Sequence, residues 1–86
     1  MLSYVEITLS TLIVETLDKA GVDDFVYPLA VFVRCADGAE VARVYTEEGA
    51  RQTGGHQKME FPAVVRLTDG TGRTWHAALD EKGKPF

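Results

Sequence analysis

The chain has 86 residues, with 13 acidic against 9 basic side chains and a formal charge of -4. That length is one domain, and a hydrophobic fraction of 45% excludes intrinsic disorder. A single cysteine, Cys35, excludes the disulfide framework of a small secreted fold.

Glu6 and Glu15 interrupt the N-terminal apolar stretch before it could serve as a signal core or a membrane span, so the expectation is a soluble, cytoplasmic protein. The net charge is local. Residues 1–24 hold Glu6, Glu15, Asp18, Asp23 and Asp24 against Lys19, and the rest of the chain holds eight acids and eight bases. With no Lys/Arg cluster, duplex nucleic-acid binding is not expected.

The first element has start and stop signals. Ser3-Tyr4-Val5-Glu6 fits a capping box, with Leu2 and Ile7 placed as a hydrophobic staple. Lys19-Ala20-Gly21-Val22 fits a Schellman stop, with Val22 set to touch Leu17. The expectation is a helix over 4–20. The competing reading is a strand over 4–9, because Val5, Ile7 and Leu9 alternate in a β-branched segment. On the helix, Val5, Leu9, Leu12, Ile13, Leu17 and Ala20 form one stripe, and Ile7 and Val14 widen it beyond what one sheet covers. A loop of the same chain or a second copy would cover them.

Residues 25–35 read as an interior strand whose full pairing begins after Pro28. Asp37-Gly38 turns the chain, and 40–46 returns as the partner strand. A two-residue turn puts Ala30, Phe32, Arg34, Val41, Arg43 and Tyr45 on one face, and leaves Leu29, Val31, Val33, Ala42 and Val44 for the core. Residues 47–60, with Gly49, Gly54 and Gly55, have neither period and read as a long loop. A second hairpin follows, 63–68 and 73–79, around Asp69-Gly70-Thr71-Gly72. Its expected faces are Val65, Leu67, Thr74, His76 and Ala78 on one side and Val64, Arg66, Arg73, Trp75 and Ala77 on the other. Residues 80–86 read as a polar, frayed tail outside a domain of 1–79.

No catalytic motif emerges. Cys35 ends an apolar strand, where a thiol is a small buried hydrophobe, and Ser3 and Ser10 lie outside a nucleophile-elbow context. His56, His76 and Cys35 are too widely spaced for a metal-ligand motif, and the glycine-rich segments lack the spacing and lysine of a phosphate loop. Neither a metal nor a cofactor is expected. Parity sends His76 into the core, where it is either a packed histidine or part of a small pocket with His56 and the 47–60 loop as lid. Phe32, Arg43, Tyr45, Arg66, Arg73 and Trp75 fall on faces away from the core, and Trp, Tyr and Arg are the types that dominate binding hot spots.

The expected architecture is α+β, an N-terminal amphipathic helix on an antiparallel sheet of two hairpins in the order α-β-β-β-β, with a five-stranded barrel as the fallback. The expected function is a non-enzymatic protein-interaction or regulatory module, a homodimer with another protein as a further candidate partner, with Ile7, Val14 and the six Arg and aromatic residues as its surface. The alternatives are a small-ligand binding protein or minor enzyme using His76, and a weak binder of single-stranded nucleic acid.

Overall fold

Four of the five residues from Tyr4 to Thr8 are aromatic or β-branched, and this stretch forms strand β1 (Ser3–Thr8) rather than the start of a helix. In the computed structural model, residues 3–48 and 56–86 are described, with side chains for 10–48 and 59–86. β1 pairs antiparallel with β4 (His56–Phe61), Ser3 opposite Phe61 and Thr8 opposite His56. The helix expected over 4–20 therefore begins only at Leu9, as α1 (Leu9–Lys19), and the Ser3–Glu6 capping box does not form. A cap contributes about 1 kcal/mol, and a paired strand gains a whole ladder from a partner some fifty residues away. β4 also takes the last five residues, 56–60, of the expected 47–60 loop; Gly49, Gly54 and Gly55 lie outside the described residues.

The helix stop is as expected. Gly21 has φ 73°, its N–H donates to the Asp18 carbonyl at 3.1 Å, and the Val22 N–H donates to the Leu17 carbonyl at 2.9 Å. These are the two bonds of a Schellman motif. They stop the helix as the chain enters the 22–28 connector.

The remaining strands are β2 (Leu29–Cys35), β3 (Glu40–Tyr45), β5 (Ala63–Thr68) and β6 (Thr74–Leu79). They form one antiparallel sheet in the order β3-β2-β5-β6, two hairpins side by side. The sheet is open, and β1 with β4 forms a separate pair, so the five-stranded barrel is ruled out.

Both hairpins turn through three residues, not two. In the first, the Cys35 N–H donates to Ala39 O and the Gly38 N–H to Cys35 O; in the second, the Asp69 N–H donates to Arg73 O and the Gly72 N–H to Asp69 O. Asp80 to Lys84 repeats the pattern, and the fourth residue each time is a glycine, Gly38, Gly72 or Gly83, at φ 87°, 88° and 79°. This is a type I turn followed by a left-handed bulge residue, which glycine accepts without strain.

One extra residue in a turn moves every side chain of the returning strand to the other face. Leu29 lies opposite Tyr45 and Val31 opposite Arg43, while Val65 lies opposite Ala77 and Leu67 opposite Trp75. The core face therefore carries Tyr45 with Leu29, Val31 and Val33, and Trp75, Ala77 and Leu79 with Val65 and Leu67. Leu12, Ile13 and Leu17 of α1 close over that face with Met59 and Phe61 of β4. α1 is tied to the sheet where Ser10 Oγ and Tyr45 Oη share a hydrogen bond at 2.8 Å, and to the chain's last turn where Lys84 Nζ meets Glu15 Oε1 at 2.6 Å. Residues 80–86 are thus no frayed tail. They close the third turn, bridge Leu79 to Pro85, and the Phe86 N–H donates to Ala78 O at 3.1 Å.

One core position is mismatched to its surroundings. Thr16 is fully buried in α1, and among the described residues its Oγ1 has no hydrogen-bond partner. Valine has the same shape without the desolvated hydroxyl, so Thr16→Val is expected to raise the unfolding free energy by about 1 kcal/mol. Urea titration checks this, and a loss of stability with an unchanged slope would show that the hydroxyl is satisfied after all.

Candidate functional site

Among the described residues, no helix or strand packs over the face of the four-stranded sheet turned away from α1. Alternation places Ala30, Phe32 and Arg34 of β2, Glu40, Ala42 and Val44 of β3, Val64, Arg66 and Thr68 of β5, and Thr74, His76 and Ala78 of β6 on it. Val44 is 67% exposed and Val64 51%. An antiparallel sheet can leave one face to water, but such a face is ordinarily polar, and this one carries two exposed valines, three alanines and a phenylalanine.

Near its centre, Phe32, Arg34, Val64, Arg66 and His76 line a shallow hollow of about 240 Å³. The Arg66 guanidinium lies 4.9 Å from the centre of the Phe32 ring, a cation–π contact between neighbouring strands. Arg34 reaches Glu40 at 3.3 Å, an exposed pair worth little to stability. A second hollow of about 300 Å³ adjoins the first. Arg34 and Val64 line both, and Pro62, Ala78 and Phe86 extend the second one toward the end of the sheet.

Comparison with known proteins finds no family model, curated protein or solved structure that matches the chain. The chemistry of this face therefore rests on its own residues.

Of the residues expected to form the interaction surface, only Phe32 and Arg66 share this face. Tyr45 is buried on the core side and Trp75 is half-buried there, both because the turns have three residues. Arg43 also belongs to the core side but sits on the edge strand, exposed, with its guanidinium donating to Ala42 O at 2.9 Å. Arg73 stands at the second turn, its guanidinium 5.1 Å from the Trp75 ring centre and 2.9 Å from Asp69. Val14 is 65% exposed on α1, on the opposite side of the molecule from the open sheet face. The side chains of Ile7 and His56 lie outside the described residues. His76, expected in the core, instead stands on the open face beside Arg66.

Sequence reasoning missed Asp69. Its side chain is fully buried, and it accepts hydrogen bonds from the N–H groups of Val26, Thr71 and Arg73, from the Thr71 hydroxyl, and from the Arg73 guanidinium. Burial pushes its carboxyl up, but the bonds from the Thr71 hydroxyl, the Val26 N–H, Arg73 and the Thr71 N–H outweigh burial and hold it well below the usual carboxylate range. An acid so fully engaged is a structural clasp between the connector and the second turn. The signal was aspartate opening a loop with glycine at the fourth position.

Cys35 is buried, and burial pushes its thiol up, partly opposed by the Glu60 backbone and reinforced by the charges of Asp37 and Glu60. Such a thiol is a poor nucleophile at neutral pH. Among the described residues, no group of three His, Cys, Asp or Glu side chains is arranged to hold a metal ion, and no helix is long and apolar enough to cross a membrane.

Proposed function

We propose that the protein is a non-enzymatic interaction module and that the open sheet face is its contact surface. The observation that carries this reading is the uncovered apolar content of the face, with Val44 and Val64 both more than half exposed around Phe32. The two adjoining hollows supply the recessed sites in which a partner's side chains are desolvated, as hot spots require. Exposed positions tolerate charge, so Val44→Asp and Val64→Asp are expected to leave unfolding within about 0.5 kcal/mol of the parent. A photo-crosslinking residue at position 64 is expected to give a discrete adduct that the Val44→Asp change removes. The same residue at the exposed Val26, away from this face, is the control. Equal adducts from both positions would overturn the reading.

Self-association is the second form of this reading, favoured by Val14, an exposed valine on a helix whose neighbours Leu12 and Ile13 are buried. Light scattering across the micromolar range decides it. A clean monomer removes the homodimer and leaves the open face as a surface for another molecule.

A further inference from the structure

We propose that the open sheet face binds an acidic, partly apolar peptide segment, a carboxylate seating between Arg34 and Arg66 and a neighbouring apolar side chain entering the hollow bounded by Val64, Ala78 and Phe86. This rests on reading the face as a contact surface and assigns its partner. The two hollows share Arg34 and Val64, so a basic subsite and an apolar subsite adjoin each other. That adjacency matches two successive outward side chains of an extended or helical segment better than it matches a small molecule. The two hollows, about 240 and 300 Å³, are each at or below the lower end of the range of ordinary small-molecule sites.

Charge selects the partner. The chain carries -4 overall, yet its open face holds two arginines, Arg34 and Arg66, against one acid, Glu40, which pairs with Arg34 at its exposed edge. The excess of acid lies elsewhere, on the helix and the connector that follows it, with Glu15, Asp18, Asp23 and Asp24. A face that is basic on an acidic molecule orients an anionic partner. Two copies packed face to face would set the arginines against one another. Nucleic acid fits less well than a peptide. The Arg66 guanidinium already lies 4.9 Å from the Phe32 ring centre, where a base would have to displace it to stack, and two guanidinium groups give few phosphate contacts.

The test titrates the intact chain with a short synthetic peptide repeating Glu-Glu-Leu-Leu, in which residues i and i+2 on one face of an extended chain are one acid and one apolar side chain, with an analogue with Gln for Glu, an analogue with Lys for Glu, and an oligothymidylate, read by amide shifts in heteronuclear NMR. The expected result is saturable shifts from the Glu peptide centred on Phe32, Arg34, Val64, Arg66 and His76, with binding about tenfold weaker for the Gln analogue and at high salt. Arg34→Glu with Arg66→Glu should lose the Glu peptide and gain the Lys analogue. Arg34→Gln with Arg66→Gln is the milder variant should the reversal disturb folding. Equal binding of the Glu and Gln peptides overturns the acidic partner while leaving the contact face standing. Shifts centred away from the sheet face overturn both. No binding of any peptide, or tighter binding of the oligothymidylate, overturns the acidic peptide, and the crosslinking experiment then judges the face by itself.

Discussion

Gly70→Ala is expected to destabilise the domain by about 2 kcal/mol and to lower its thermal midpoint by roughly 10 °C. The 22–28 connector passes directly over this residue. A Cβ at position 70 would stand 2.5 Å from the Tyr27 carbonyl oxygen, 3.0 Å from the Tyr27 carbonyl carbon and 3.1 Å from the Val26 carbonyl oxygen. All three are backbone atoms, so no rotamer change relieves the overlap. The connector must lift, and lifting it breaks the bond from the Gly70 N–H to Val26 O, 2.6 Å long. Gly38→Ala makes the informative comparison. There the Cβ meets nothing within 4 Å, and only the positive φ of 87° resists it, at a cost of about 1 kcal/mol. Denaturant titration of both variants separates the two mechanisms. Gly70→Ala no worse than Gly38→Ala would mean that the connector does not lie against the turn.

Asp69→Ala is the other large effect, a fall in the thermal midpoint on the order of 10 °C, with Asp69→Asn intermediate because it keeps one acceptor oxygen. Alanine leaves the Val26 and Thr71 N–H groups without their acceptor and releases Arg73 from its clasp. Acid titration gives the same residue a second signature. Folding lowers the Asp69 carboxyl, and it lowers that of Asp80, where the Lys84 N–H holds the charge, burial opposes it, and the Lys82 N–H adds to the hold. Below the ordinary aspartate value of about 3.9 the unfolded chain therefore binds more protons than the folded one. The stabilisation is complete above that pH and is lost as pH falls through it toward the lower folded values. Asp69→Ala should be less stable at neutral pH and should lose less on acidification than the parent. Parallel stability profiles for the two proteins between pH 5 and 2 would refute the clasp.

Much of the fold was legible because it is local. Gly21 after Lys19-Ala20 announces a helix stop, and Asp-Gly segments between alternating apolar runs announce two hairpins. The candidate site was legible only in part. Phe32 and Arg66 were singled out, but Arg34, Val64 and Phe86 were not, and Tyr45, Trp75 and His76 were placed on the wrong sides of the sheet. One uncounted residue in each of the two turns accounts for those reversals. The clue was present in the position of Gly38 and Gly72, each three residues after the residue whose carbonyl closes the turn. Arg73 and Trp75 do stack, yet in service of the clasp on Asp69.

The sequence by itself determined the class of structure, the hairpins and the end of the helix, since these follow from interactions among residues a few positions apart. Only the tertiary structure decided that residues 3–8 are a strand, because their partner lies at 56–61 and a local pattern cannot report a ladder formed across the chain. It also decided why Gly70 is glycine, since the demand comes from a connector over forty residues away passing within contact of its backbone. The composition's charge of -4 likewise gained its meaning from folding. Most of the excess of acid over base lies on the helix and connector, and the sheet's open side keeps two arginines beside an apolar hollow.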